Sequence, residues 1–442
     1  MTELAGTKQY LDAFEHFRGH LKEEPSWLRE MRVEAIAHFA EQGFPSTRQD
    51  AWRYTDMAKV RDSEIAFDPV SDASAYGEIK KFKQTHKGFF LFFINGQYAE
   101  NYSSIPQGVR VLGLREAAAS EEKLLKKYFF CKTSEIKRDA FEALNEAFFD
   151  RGIFIHVSER KKLVEQIHIV SIAASDNDQV FLTPRVLALV GRDSQATFVE
   201  SYVAGNDRPY FTNAFAEIFL DEDAILEHFK IQQEGKNAFH VAKKHIRQAG
   251  GSSFASMTLS LGARLMRDES RVELAGPEAQ SHLKGLYLAE QEQLLDHHLF
   301  MDHQQPSCRS RQLFKGILSG NSRGVFSGKI LVRRGAQQTD AQQTNRNLFL
   351  SDGAKVDTQP QLEILADDVK CSHGAAVGRL EEDSVFYLKS RGISEKKANY
   401  MLAQGFAQEM IRDIAPGSFE DLLVRFVNEK LEKQFADFED PK

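Results

Sequence analysis

The spacing of apolar residues changes character twice along the chain. Trp27, Leu28, Met31, Ala35 and Phe39 recur at three- and four-residue intervals, with Pro25 ahead of them and Gly43 and Pro45 behind. That is one face of a helix with its start and stop signals. The same spacing predicts helices over 121–130 and 136–149, with Ala140, Leu144, Ala147 and Phe148 on one face of the second. Ahead of these two lies the apolar run Phe89–Ile94, closed by Asn95-Gly96, a strong hairpin signal. From about Gly152 the period shortens. Alternating or wholly apolar runs occur at 153–157, 167–173, 186–190, 196–203, 224–231, 282–288, 328–332, 347–350 and 362–365. Gly, Asn, Asp and Pro clusters such as 205–209 and 351–353 separate them. So many short strands without a helical period between them predict an all-β core. No tight repeat is visible, so the pattern leaves sandwich and β-helix both open. From about 381 the helical period returns through Ala398, Met401, Leu402, Gly405, Phe406 and Met410, and Pro416-Gly417 interrupts it. Ser418 with Asp421 resembles a capping box for a last helix, striped by Phe419, Leu422, Leu423, Phe426, Val427 and Leu431. The expected organisation is a mixed, mostly helical segment over 1–150, a β core over 151–380 and a helical segment over 381–442. Helices at both ends suit a β core, whose open edges need covering.

Composition narrows the function. The 442 residues are 42% hydrophobic and 27% charged, enough for two or three domains with real cores. Asp and Glu outnumber Lys and Arg, 64 to 57, for a net charge of −7. No clustered basic excess stands out, which argues against nucleic acid as a partner. No run of about 18 apolar residues occurs, so no membrane span is expected, and the polar start of the chain lacks a secretory signal's apolar stretch. Three cysteines, Cys131, Cys308 and Cys371, with no C-x-x-C pair fit neither a disulfide framework nor a zinc ribbon. They fit reduced thiols in a cytoplasm.

The C-terminal third carries a specific resemblance. The blocks Ser310-Arg311-Gln312-Leu313-Phe314-Lys315-Gly316, Val325-Phe326-Ser327-Gly328-Lys329-Ile330 and Gln337-Gln338-Thr339-Asp340-Ala341-Gln342-Gln343-Thr344-Asn345-Arg346-Asn347 come in turn. Pro360-Gln361-Leu362-Glu363, Asp367-Asp368-Val369-Lys370-Cys371-Ser372-His373-Gly374 and Phe386-Tyr387-Leu388-Lys389-Ser390-Arg391-Gly392-Ile393 follow. Their order resembles the SufB/SufD family of iron–sulfur cluster assembly scaffold proteins. Phe44-Pro45 with Trp52-Arg53-Tyr54-Thr55, and the stretch Phe141 to Phe148 with Gly152, extend the likeness towards the N-terminus. Cys371-Ser372-His373-Gly374 and the shortage of cysteines resemble the SufD branch rather than the SufB branch. The resemblance implies a mainly β fold: a right-handed parallel β-helix core flanked by N-terminal and C-terminal helical segments. It also implies a non-catalytic subunit of an ATP-dependent assembly complex. That subunit pairs with a SufB-like paralogue and binds a SufC-like ABC ATPase through the C-terminal helices, about 393–435.

Cys371 and His373 are two apart, so on a strand they face the same side. A thiol and an imidazole there make half a site for iron; a cluster usually takes four ligands, so a second chain must complete it. The resemblance places His373, as a proposed cluster and metal ligand, at the seam between the two paralogues, with Cys371 beside it. The cofactor implied is a transient iron–sulfur cluster in the complex, with none expected tightly bound to the isolated chain. Alone, the chain is expected to use the same surface for a homodimer. The bland alternatives are a small buried cysteine and a hydrogen-bonded interface histidine.

Two other readings compete. Asp296, His297, His298, Asp302, His303 and Cys308 crowd together as a metalloenzyme site would, but the spacing fits no zinc signature, and adjacent His297 and His298 point to opposite faces of a strand. A β-helix also suits a carbohydrate-active enzyme, with Asp221/Asp223 or Asp367/Asp368 as its acid pair. Acid pairs in turns are ordinarily solvated turn residues. No phosphate-binding G-x-x-x-x-G-K-[ST] loop occurs, so ATP hydrolysis by this chain is not expected.

Overall fold

The computed structural model describes residues 2–19, 21, 24–67, 75–129, 138–175, 179–411 and 418–436. Their strands form two ten-stranded sheets that wind as a parallel β-solenoid of about seven turns, flanked by N-terminal and C-terminal helices. In one sheet, Ala196, Leu226, Phe254, Ser281, Ser310, Ala341 and Cys371 occupy one rung in seven successive strands. Each turn therefore takes 27–31 residues. The β-helix implied by the family resemblance is present, and the sandwich is excluded.

Asn95-Gly96 makes the expected hairpin. Both residues have positive φ, 50° and 78°, and Phe89–Ile94 pairs antiparallel with Gln97–Tyr98. On its other edge Phe89–Ile94 runs parallel to Ile167–Ala173, so the N-terminal segment adds strands to the solenoid's first turns. The helix Ser26–Gln42 ends before Gly43 as predicted. The expectation over 136–149 is met by Ala140–Phe148, opened by an Asp139/Glu142 capping box; residues 136 and 137 lie outside the described residues. The expectation over 121–130 is met by Glu122–Tyr128, and residue 130 is again outside them. Thr2–Arg18, Tyr76–Thr85 and Leu114–Ser120 are helices that the apolar spacing did not announce.

Three apolar layers hold the molecule together. The lumen stacks residues of both sheets, among them Ile218, Leu226, Phe254, Val272 and Phe326. The outer face of one sheet, through Phe211, Val241 and Leu265, packs on Trp52, Phe141 and Phe148 of the N-terminal segment. The outer face of the other, through Phe229, Met257, Leu286 and Ile317, is covered by Glu395–Ile411 and Ser418–Ala436. The stripe of the last helix is buried as predicted at Phe419, Leu422, Leu423, Val427 and Leu431. In Glu395–Ile411 the predicted Ala398 and Met410 are buried and Leu402 and Phe406 half-buried, whereas Met401 and Gly405 are exposed. Ala403 and Ala407, outside the predicted stripe, are buried because small residues let the helix lie close to the sheet. Pro416 and Gly417, and the side chain of Ser418 in the proposed capping box, lie outside the described residues. No described helix is long and apolar enough to cross a membrane.

Lumen packing is tight at Gly316, whose rung neighbours are Tyr287 and Asn347. A Cβ there would run into both side chains. Gly316→Ala is therefore expected to cost about 1–3 kcal/mol by overpacking. The urea midpoint should fall with an unchanged slope.

Candidate functional site

The last turn of the solenoid consists of Lys355–Ile364 in one sheet and Val369–Arg379 in the other. Each is the terminal strand of its sheet, so each has a free edge, and most of their residues are half-buried or exposed. Among the described residues Val369–Arg379 pairs only inward, with Thr339–Phe349. Cys371 lies over Ala341 and Ser310, and His373 lies over Gln343 and Gln312. Both therefore stand on the lumen-facing side of the strand, at the open mouth of the solenoid. The i, i+2 reading from sequence is met in register.

Their surroundings differ. Cys371 is half-buried against the lumen core, and burial pushes its thiol up from the ordinary value, with Asp340 adding to the effect. The thiol is thus a weak ligand until a cation or a second chain supplies positive charge. His373 is exposed. Beneath it, Gln343 is 1% exposed and donates from Nε2 to Gln312 Oε1 at 2.5 Å. Cys308 is buried, its Sγ 3.3 Å from the Gly276 carbonyl, and Cys131 lies outside the described residues.

The second histidine cluster does not assemble. His297 faces the lumen between the rings of Tyr287 and Phe314, and burial pushes it down to about 4. His298 faces outward, 2.9 Å from Asp296. Asp296 also takes Arg267 at 2.8 Å and accepts from the Thr55 hydroxyl at 2.5 Å. Asp302 pairs with Arg333, and His303 bonds the Ser310 hydroxyl at 2.9 Å. Opposite faces of one strand scatter these side chains, and among the described residues no three His, Cys, Asp or Glu could hold a metal ion together. The acid pairs fare similarly. Asp221 and Asp223 are exposed turn residues, Asp223 with φ 56°, and Asp367 and Asp368 are exposed in the turn before the terminal strand.

Sequence reasoning missed a charged chamber inside the solenoid. Lys230 donates to Asp268 at 2.6 Å, His228 lies 3.0 Å from Glu200, and His240 lies 2.7 Å from Glu234. Lys244 projects among them without a hydrogen-bond partner, and all of these residues are at least nine-tenths buried. The signal was legible in principle: Leu226, His228, Lys230 and Gln232 alternate with Phe229 and Ile231, so charged residues hold the inward phase of a two-sided strand.

The C-terminal helices are fastened by charge as well as by their apolar faces. Lys315, fully buried, donates to Glu409 at 2.5 Å and to the Phe406 carbonyl at 3.2 Å, and Lys430 reaches Glu290 at 2.5 Å. The helix before them, Glu382–Ser390, buries no residue and presents Phe386 and Tyr387, 73% and 57% exposed.

Two family models match the chain. The SufBD protein N-terminal region covers residues 4–169, and the SufBD core domain of SUF system FeS cluster assembly covers 172–406. An iron–sulfur cluster assembly SufBD family protein of Synechocystis is 32% identical over 396 residues, 87% of each chain. The iron–sulfur cluster assembly protein SufD of Escherichia coli is 29% identical over 397 residues, 88% of this chain and 90% of its own. The SufD of Bacillus subtilis is 22% identical over 444 residues, 97% of this chain and 99% of its own.

Proposed function

The chain belongs to the SufBD family, and from that premise we propose that it is a SufD-type scaffold subunit that houses a nascent iron–sulfur cluster together with a SufB-type paralogue. The observation that carries this reading is the open end of the solenoid. There a free strand edge and two lumen-facing donors, Cys371 and His373, coincide. An unpaired edge of eleven residues is a template for a second chain's strand, and docking there brings that chain's ligands next to His373. Two donors cannot enclose a cluster, so the cluster is cargo shared across the seam and held loosely enough to be handed on. His373 is the proposed iron ligand and Cys371 its neighbour or fellow ligand. Without the paralogue, the same edge is free to pair with a second copy of this chain.

The ATPase, a SufC-type protein, is proposed to dock on the C-terminal helices. Phe386 and Tyr387 stand out from a helix with no buried face, and Met401 lies exposed on the next helix. Ala403, Met410, Leu423 and Val427 of the two following helices are by contrast committed to covering the sheet. ATP binding by that partner would then move the helices and, through Lys315 and Glu409, strain the last turns of the solenoid. In this scheme the chain itself catalyses nothing.

The test is anaerobic purification of this chain co-expressed with SufB- and SufC-type partners. Iron and acid-labile sulfide are measured per complex for wild type, His373→Ala and Cys371→Ser. A complex in all three, with most of the cluster lost in His373→Ala, is the expected result. Cluster content equal to wild type in His373→Ala removes the ligand role, and failure of the wild-type complex to form removes the pairing.

A further inference from the structure

We propose that Gln343 is a positioning residue for His373: its side-chain carbonyl, unpartnered in this structure, takes the imidazole N–H when the exposed ring turns down onto it and so fixes which ring nitrogen is left free to meet iron. The inference rests on the reading of His373 as a ligand and extends it by one residue. Gln312, Gln343 and His373 occupy one lumen-facing rung position in three consecutive strands. Strands in a ladder lie about 4.8 Å apart, so side chains on one rung stack directly.

The amide of Gln343 is oriented by its neighbours. Nε2 donates to Gln312 Oε1, which leaves Oε1 as the open end of the ladder. That oxygen is buried and has no hydrogen-bond partner. Across the lumen the amide lies against Gly328, where any Cβ would collide with it, so the absence of a side chain makes its seat. A buried carbonyl without a donor is destabilising. His373 is the next residue on its rung and carries a ring N–H. No further rung follows, since Val369–Arg379 ends the sheet.

The chemistry suits the role. Metal-binding histidines nearly always donate their other ring N–H to a carbonyl or carboxylate, which fixes tautomer and ring plane. A neutral carboxamide does this without adding negative charge to a site that must release its cargo. Glutamine also explains why the exposed His373 ring need not be random: the lumen beneath it supplies a fixed acceptor.

The experiment is nitrogen-15 NMR of the full-length chain with labelled histidine, at about pH 8, where an ordinary imidazole is neutral. The His373 signal is assigned by its loss in His373→Ala. In the wild type, the ring N–H of His373 is expected to be observable and to exchange with water about tenfold more slowly than in Gln343→Leu, the size of one net hydrogen bond. Gln343→Glu keeps an acceptor oxygen and is expected to retain the protection. A merely structural glutamine ladder would leave the His373 exchange rate unmoved while the melting temperature of Gln343→Leu falls. Equal exchange in wild type and Gln343→Leu overturns the proposal. The readout needs no cluster, so it stands or falls separately from the iron content of the complex with His373→Ala.

Discussion

Acidification from about pH 7 to about pH 5 is expected to remove about 5 kcal/mol of this protein's stability through its buried histidines. His168, His228, His297 and His303 are all buried, and burial pushes each down to about 4. Unfolded histidine has its ordinary value near 6.5. Between those values the unfolded chain binds a proton at each position that the folded chain refuses. Stability therefore rises with pH through this window and is lost as pH falls through it. Glu146 works the other way. Burial pushes it up to about 8, so from about 4.5 upward the folded chain holds a proton that the unfolded chain has released. It offsets one histidine of the four. Three net protons correspond to a slope of about 4 kcal/mol per pH unit near pH 5, against a total of about 5–15 kcal/mol for a typical domain. Urea titrations at several pH values measure the slope directly. His297→Phe should lower it by the share of one proton, roughly 1 kcal/mol per pH unit, because that ring makes no hydrogen bond and already packs between two aromatic rings. A stability that stays flat down to about pH 4.5 would contradict the buried, neutral state of these rings.

Helix stops and tight turns were legible in the sequence. The stop of Ser26–Gln42 at Gly43 and the hairpin at Asn95-Gly96 follow from local backbone chemistry, and both stand as read. The β character of the core was equally plain. Its winding was not, because a solenoid is specified by rungs, and here the rungs recur at 27–31 residues with corners of unequal length. A shifting period hides a repeat that a fixed one would reveal. The resemblance supplied the β-helix that periodicity withheld.

At the candidate site the two-residue spacing placed Cys371 and His373 on one face, and their ladder positions agree. What spacing could not supply was the third dimension: that this face looks into the lumen, that the strand is the last, and that Gln343 lies beneath. The crowded Asp296–Cys308 stretch misled for the complementary reason. Side chains adjacent in sequence are separated by the sheet itself, with His297 inside and His298 outside.

Asp268→Asn is the single substitution expected to damage the solenoid most, by about 3–5 kcal/mol. The carboxylate is buried and held well below its usual range; burial opposes this, and Lys230 and then Lys244 outweigh burial. Lys230 spends a hydrogen bond on it, whereas Lys244 makes none and is held in place by the charges of Asp268 and Glu200 alone. Removing the Asp268 charge thus leaves two buried ammonium groups facing one remaining carboxylate. The arrangement is destabilising because the desolvation of both lysines persists while half of its compensation is gone. Two further measurements separate this cause from a packing defect. In the Lys230→Met/Asp268→Leu double variant no charge is orphaned at that pair, so it should recover much of the loss, and the interaction term of the cycle should be large. The loss in Asp268→Asn should also ease as the pH approaches about 10, since a buried lysine escapes the penalty by giving up its proton. A packing defect would show neither recovery nor pH dependence. If both are absent, the lysines are not charged in the folded lumen. The chamber would then be a neutral polar network, held by hydrogen bonds such as Gln232 to Glu234 and Thr212 to Glu234.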